Sequence, residues 1–266
     1  MPGCWSGDTH GCGPQPADEG ADMLGIPVGA DGISVLYVDR FGRRRELAVT
    51  KAAEVPFEEL TPLDRPIPYP GRQSFVTNAW ASATDQLLAC GSLRQQHCAI
   101  LLDRDPAVGL RSAGPMELRW SGQGRRHSVR PAFVVSRAGQ REVICVQPEE
   151  LTDQWRYEQE VLAVAASAVG WQVRVLVPPA GVELDNLQLL YAARSPRWLT
   201  AGQDHVLAEQ FTAPRTIRSG VRAAALPLLS GLDLAYHLIW MRRLHTDTSI
   251  PLTSSSTAWA CAGDVA

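Results

Sequence analysis

Residues 130–148, RPAFVVSRAGQREVICVQP, constrain the fold of this chain more than any other stretch. Two apolar runs, at 133–135 and 143–146, flank a turn at 138–140. Apolar strands joined by a tight turn are typical of a β-hairpin in a sheet that is covered on both faces. The sequence therefore predicts a buried hairpin, and other segments must supply the layers that cover it.

The segments after this hairpin predict a helix, a strand and a second helix. Residues 148–171 place acidic residues in a first helical turn and apolar residues at helical spacing, and Gly170 ends the pattern. Residues 171–179 then predict a strand, and residues 184–196 predict another helix. A hairpin followed by helix and strand favours an α/β core with helices on the faces of its sheet.

The N-terminal half adds a second hairpin, a proline-rich arm and a helix. Residues 33–49 alternate apolar and polar side chains around a Phe-Gly pair, which predicts a hairpin with three arginines beside its tip. Four prolines within 55–69 exclude a continuous helix there and predict an extended arm. Residues 84–102 carry leucines near helical spacing and predict a helix with a weak point at Gly91. Further strands are expected at 108–110, 116–120, 127–136 and 142–147.

Residues 203–244 read as short helices, and residues 245–256 read as a strand or wing before a polar tail. A small helical unit that ends in a β-element is typical of a winged helix. We therefore expect this division of the chain: 1–24 a disordered tail, 25–78 the hairpin and arm, 79–200 the α/β domain, 201–256 a winged-helix-like domain, and 257–266 a tail.

Bulk charge does not predict nucleic-acid binding, because 25 Lys and Arg residues face 28 Asp and Glu residues for a net charge of −3. Any DNA contact must come from local patches. The longest apolar run is too short to span a bilayer, and no secretory signal is visible, so a cytoplasmic protein without membrane contact is expected. The candidate DNA-binding residues are Arg43, Arg44, Arg45, Arg125, Arg126, Arg242, Arg243 and His245.

The six cysteines show no disulfide rhythm. Cys4, His10 and Cys12 could form part of a metal site, but a closed zinc site needs four ligands and no fourth is nearby. Incidental thiols in a tail rich in glycine, proline and aspartate are the simpler interpretation.

Six segments, in order, resemble those of one family. They are PFEELTPLDRPIP, GSLRQQHCAILLDRDPAV, MELRW, RRHSVRPAFVVSRAGQREVICVQP, AVGWQVRVL and LPLLSGLDLAYHLIWMRRLHTDTSIPL, which together cover roughly residues 55–254. This ordered set is similar to TnsA-like proteins, the endonuclease subunits of heteromeric transposases, in particular the actinobacterial branch. The resemblance implies a PD-(D/E)xK nuclease domain, a winged-helix domain, catalytic Mg²⁺, and DNA and a DDE-type, TnsB-like transposase as partners. It also allows an AAA+ regulator as a further partner.

The catalytic positions that the resemblance implies are all neutral in this chain. The first acid of the family's helix motif falls on Gly91, and the aspartate of the first hairpin strand falls on Ala132. The acid and the base of the second strand fall on Cys145 and Gln147. The only lysine, Lys51, lies in the N-terminal hairpin region and cannot replace the missing base.

Asp85, Asp103, Asp105 and Glu142 are the nearest possible substitutes, but their spacing does not restore the cluster. We therefore expect a pseudonuclease without a metal cofactor, which binds DNA or a partner. Two alternatives stay open: an active endonuclease that uses displaced or partner-supplied residues, and a domesticated DNA-binding regulator. Cleavage would establish the first, and the absence of a neighbouring transposase gene would favour the second.

Overall fold

The chain is a mixed α/β protein built from several sheets and six helices within the part that the structure describes. The computed structural model describes residues 29–71, 74–82, 84–122, 124–195 and 202–260. The expected tail at 1–24 and the Cys4, His10 and Cys12 group lie outside these residues.

The elements follow in chain order. The strands are β1 (Ile33–Val38), β2 (Arg44–Ala48), β3 (Thr77–Ala81), β4 (Gln86–Cys90), β5 (Val108–Ala113), β6 (Met116–Gly122), β7 (Arg125–Val129), β8 (Phe133–Arg137), β9 (Gln140–Val146), β10 (Gln172–Leu176), β11 (Arg215–Thr216), β12 (His245–Thr246) and β13 (Thr257–Trp259). The helices are α1 (Leu93–Arg104), α2 (Asp153–Ala168), α3 (Gly181–Ala192), α4 (Gln203–Glu209), α5 (Ile217–Ala223) and α6 (Leu228–Trp240).

The predicted N-terminal hairpin forms, and it is built into a larger sheet rather than standing apart. Strands β1 and β2 pair antiparallel, and Gly42 takes a φ of 78° in the turn between them. Strand β1 also pairs with β6, which gives a four-stranded sheet in the order β2-β1-β6-β7. Because residues 33–48 complete this sheet, the hairpin shares one folding unit with the strands of the expected α/β domain.

The buried hairpin predicted at 130–148 is confirmed as β8 and β9. Ala138 and Gly139 both take positive φ in its turn, as a tight hairpin connection requires. Strand β9 then continues through α2 into β10, which pairs parallel to β9. The resulting mixed sheet has the order β10-β9-β8-β5.

Both faces of this central sheet are covered. One face contributes Val134, Val143 and Cys145 to a core shared with α2 and with the N-terminal sheet. The other face contributes Phe133 and Ile144 to a core shared with α1, β3 and β4. The apolar character of the hairpin strands follows from this double burial.

The helix predicted at 84–102 is wrong in its first half. Residues Gln86–Cys90 form β4, which pairs with β3, and the helix begins only at Leu93. The Ser92 hydroxyl accepts a hydrogen bond from the Gln95 N–H (3.1 Å) and caps the helix. Gly91 and Ser92 therefore mark a strand-to-helix boundary rather than a weak point inside a helix.

The single strand predicted at 127–136 is also wrong. The structure divides it into β7 and β8, which belong to different sheets. The break falls at residues 130–132, where Pro131 has no N–H to donate to a ladder.

The C-terminal part alternates short helices and strands in the order α4, β11, α5, α6, β12, β13. The three strands form an antiparallel sheet in the order β11-β13-β12, so Thr257–Trp259 is ordered structure inside the segment that we expected to be a tail. Helix α3 joins this unit, because the buried Asn186 amide donates to the carbonyls of Thr248 (3.0 Å) and Ile250 (2.8 Å).

Among the described helices none alone meets the length and apolarity of a bilayer span, and only α5 with α6, bent by 117°, meets them as a pair.

Candidate functional site

A cleft of about 790 Å³ lies where the N-terminus of α1, the start of β8 and the end of β9 meet. The first turns of α2 form one further wall, and the proline-rich segment at 64–69 forms another. The residues that line the cleft include Asp64, Gly91, Arg94, Gln95, Arg130, Ala132, Cys145, Gln147, Glu149, Glu158 and Gln159.

All four positions that the sequence resemblance marks as catalytic line this one cleft. The β8–β9 ladder ends at Phe133 and Ile144, and beyond it the Ala132 N–H donates to the Ile144 carbonyl (2.8 Å), so Ala132 lies beside the end of β9 that carries Cys145. Gln147 follows Cys145 by two residues and so lies on the same side of the strand. The side chains at these four positions are all neutral.

The polar side chains of the cleft hold the backbone together. Gln95 accepts a hydrogen bond from the Gly91 N–H (2.7 Å) through Oε1 and donates to the Ala132 carbonyl (3.1 Å) through Nε2. The Arg94 guanidinium donates to the Gln147 carbonyl through Nε (3.2 Å) and Nη2 (2.7 Å). An amide and a guanidinium thus join α1 to the backbone at the start of β8 and at the end of β9.

The described acids of the cleft form contacts with other side chains or are exposed. Asp64 forms ion pairs with Arg44 (2.6 Å) and Arg130 (2.9 Å), and Glu158 accepts a hydrogen bond from Gln154 (2.9 Å). Glu149 is exposed. No group of three or more His, Cys, Asp or Glu residues within the described ranges is placed to hold a metal ion.

The possible substitute acids lie elsewhere, and none of them lines the cleft. Asp103 pairs with Arg111 in the interior, and Asp105 pairs with Arg137 and accepts from the Ala107 N–H (3.0 Å). Glu142 is buried, with Arg137 and Arg174 each 3.7 Å from its carboxylate. Asp85 lies in the turn between β3 and β4.

The Cys145 thiol has low reactivity. Burial raises the pKa of its thiol to about 11, and the repulsion of Glu158 adds to this effect, although a hydrogen bond from Gln159 opposes it. The thiol is therefore protonated near neutral pH, and it is neither a good nucleophile nor a good soft-metal ligand. This agrees with its interpretation as a small buried side chain.

We expect alkylation to show this protection directly. At a pH of about 8, Cys145 in the native chain should react with iodoacetamide about a hundredfold more slowly than in the denatured chain, because far less thiolate is present. Cys90 and Cys98, whose pKa values burial raises to about 12, are internal controls and should be equally protected. Mass-spectrometric mapping measures each site, and rapid labelling of Cys145 alone would contradict the buried-thiol interpretation.

The structure distributes the eight candidate DNA-binding residues over three places. Arg43, Arg44 and Arg45 lie at the β1–β2 hairpin, on the edge of the N-terminal sheet opposite to β7. Arg125 and Arg126 begin β7. Arg242, Arg243 and His245 follow α6.

The eight candidates also differ in whether an acidic side chain neutralises them. Arg44 pairs with Asp64, Arg45 with Asp39 (3.0 Å) and Arg243 with Asp204 (2.6 Å). His245 stacks on Trp259 with ring centroids 6.3 Å apart. The remaining candidates are exposed and form no ion pair with any described acid: Arg43, Arg125, Arg126 and Arg242.

Sequence reasoning missed a second group of arginines that pair with no described acid, namely Arg215, Arg218 and Arg222 on β11 and α5. The signal was present, since residues 211–232 contain three arginines and no acid.

Comparison with known proteins finds no family model that matches the chain and no curated protein that matches it.

Proposed function

We propose that this chain is a TnsA-like subunit of a heteromeric DNA transposase whose nuclease domain has lost its catalytic residues and is retained for DNA and partner binding. One observation carries the proposal. The four positions assigned from sequence register, Gly91, Ala132, Cys145 and Gln147, meet in a single cleft although they lie up to 56 residues apart in the chain. An arbitrary alignment would scatter such positions over the molecule.

The architecture supports the same proposal. The central sheet has three antiparallel strands, β5, β8 and β9, and a fourth strand, β10, parallel to β9. Helix α1 precedes β5 and α2 connects β9 to β10, an order that supports the proposed nuclease-like core. The C-terminal order of helix, strand, two helices and two strands, with the middle place in the sheet taken by β13, supports a winged helix.

The chemistry of the cleft supports binding rather than cleavage. Mg²⁺ prefers oxygen ligands and octahedral geometry, and nucleases use it to polarise the phosphate and to generate hydroxide. The side chains at the four positions offer a hydrogen atom, a methyl group, a protonated thiol and an amide. Losing several carboxylates also removes their repulsion toward DNA phosphates, which favours retained binding.

The proposed subunit acts in the cytoplasm beside a DDE-type, TnsB-like transposase, with an AAA+ regulator as a further partner. The resident metal of the family is not required for this role. Co-purification with a co-expressed transposase from the same transposon tests the partnership.

A four-site restoration tests the loss of catalysis. The restored variant carries Gly91→Glu, Ala132→Asp, Cys145→Glu and Gln147→Lys, and the matched neutral variant carries Gly91→Gln, Ala132→Asn, Cys145→Gln and Gln147→Met. We expect the native chain and the neutral variant to leave supercoiled plasmid DNA intact with Mg²⁺ or Mn²⁺. The restored variant should bind Mn²⁺ in calorimetry and nick the plasmid, because three carboxylates and an ammonium group then line one cleft.

Two results would overturn the proposal. Metal-dependent nicking by the native chain would establish an active endonuclease. A restored variant that keeps its circular-dichroism spectrum and binds no Mn²⁺ would show that the register of the four positions is wrong.

A further inference from the structure

The surface formed by β11, α5 and the loop at 253–256 carries an unpaired cluster of cations, which we call the α5 basic face. Arg218 and Arg222 are both exposed and lie four residues apart on α5, so they share one side of the helix. Arg215 precedes them on β11. None of the three forms an ion pair with a described acid, whereas many other arginines of the chain do.

The loop beside this face is held in place and is rich in hydroxyl groups. The Arg218 N–H donates to the Ser254 carbonyl (2.8 Å), and Arg218 Nη2 donates to Ser254 Oγ (2.9 Å). The Ile217 N–H donates to the Ser256 carbonyl (3.0 Å). Residues 253–257, TSSST, carry a hydroxyl at every position and no charge. Hydroxyl and guanidinium groups are common donors to phosphate oxygens.

The neighbouring helix does not share this character. Helix α6 contains no Lys or Arg between Leu228 and Trp240, and its Asp233 is exposed. His237 is half-buried, burial lowers its pKa, and its Nδ1 lies 3.0 Å from the Ala193 carbonyl. In a helix-turn-helix protein the second helix usually enters the major groove. Here the positive surface lies on the first helix of the pair instead.

We propose that the α5 basic face binds the phosphate backbone of duplex DNA without reading its sequence, with Arg215, Arg218 and Arg222 as the phosphate contacts. The inference rests on the proposed function in taking DNA as the ligand, but it does not depend on the cleft. Charge complementarity selects the occupant, because three unpaired guanidinium groups in an acid-free segment match a regularly spaced polyanion. Helix α6 then faces the groove with apolar and acidic residues and adds no base-specific contact.

Salt-dependent binding to a short fluorescein-labelled duplex of arbitrary sequence tests this surface with the full chain. Each phosphate contact contributes a slope of about −0.9 to the plot of log K against log salt concentration. The variant Arg215→Gln/Arg218→Gln/Arg222→Gln should therefore reduce the magnitude of the slope by about 3, and it should weaken binding roughly 100-fold at physiological salt. Replacing the same residues with lysine keeps the charge and should retain most of the affinity.

Two further variants make the result decisive. Arg215→Gln/Arg222→Gln leaves the contact between Arg218 and Ser254 intact, so it should fold normally and lose about 2 from the slope. Arg40→Gln, Arg119→Gln and Arg156→Gln together change the net charge equally but lie on other elements, and they should leave the slope within about 1 of native.

The outcomes separate the two proposals. A native chain that binds DNA, with the α5 variants equal to native in affinity and slope, would overturn the α5 basic face and leave the proposed function standing. An equal loss in the Arg40, Arg119 and Arg156 variant would overturn it as well. A native chain that binds no duplex, or that binds only anionic vesicles, would overturn both proposals.

Discussion

Replacing Asp103 with alanine should lower the free energy of unfolding by about 3–5 kcal/mol, because it leaves a buried guanidinium without its counter-ion. The Asp103 side chain is fully buried and forms an ion pair with Arg111, whose side chain is also buried. Asp103 further accepts hydrogen bonds from the Ser82 N–H (2.8 Å) and hydroxyl (2.8 Å). Arg111 Nε has no hydrogen-bond partner among the described residues, and Asp103 is the only described acid that forms an ion pair with this buried charge.

Urea denaturation followed by circular dichroism measures this loss. Asp153→Ala is the matched control, because it removes an aspartate from an exposed pair with Arg156 and should change stability by about 1 kcal/mol or less. The double variant Asp103→Leu/Arg111→Met removes both charges and should recover most of the loss. If Asp103→Ala and Asp153→Ala proved equally stable, the buried ion pair would not be the anchor of α1.

This anchor connects the interior to the cleft. Asp103 lies near the C-terminus of α1, and the same helix supplies Arg94 and Gln95 to the cleft from its N-terminus. An acid that sequence alone offered as a substitute ligand is therefore used to fix the helix that positions the cleft. Replacing Asp103 should therefore change the cleft indirectly, by changing the position of α1.

The local sequence pattern was enough to predict the elements that form through contacts between residues close in the chain. The hairpins β1–β2 and β8–β9 alternate or bury their residues around turn-forming pairs, and α2 carries an apolar stripe with acids in its first turn. These elements are confirmed because side-chain periodicity and turn chemistry act within a few residues of each other.

Elements that depend on distant partners were not predictable in the same way. Strand β4 has leucines that also fit a helical period, and only its pairing with β3 makes it a strand. Strand β13 is three residues long and is defined by its contacts with β11 and β12, which are distant in sequence. The break at Pro131 separates strands of two sheets, which a single apolar run does not reveal.

The candidate site shows the same difference between features with local causes and features that depend on distant residues. The sequence assigned Ala132, Cys145 and Gln147 to the two sides of one hairpin, and all three line one cleft because the hairpin brings its two strands together. The pairing state of each arginine could not be read from the sequence, because it depends on acids that folding brings close. Arg44 and Arg243 gain ion-pair partners in the structure, while Arg218 and Arg222 gain none among the described acids.

Replacing Gly220 with alanine should destabilise the chain by about 3 kcal/mol, even though alanine is the better helix former by about 1 kcal/mol. A Cβ atom at this position would lie 2.2 Å from Cζ of Phe211, whose ring is completely buried. Gly231 has the same role on α6, where a Cβ atom would lie 2.3 Å from Cγ1 of Val221. The two glycines allow Phe211, α5 and α6 to pack closely.

Thermal and urea denaturation of Gly220→Ala measure the loss of stability that the steric overlap causes. Gly32→Ala is the matched control, because a Cβ atom there meets nothing within 4 Å. The double variant Gly220→Ala/Phe211→Leu removes the ring and should recover part of the stability lost by Gly220→Ala. Because α5 carries Arg218 and Arg222, a displaced α5 should also weaken DNA binding if those residues contact phosphate. Unchanged stability in Gly220→Ala would show that Phe211 moves freely and that α5 is not fixed by this contact.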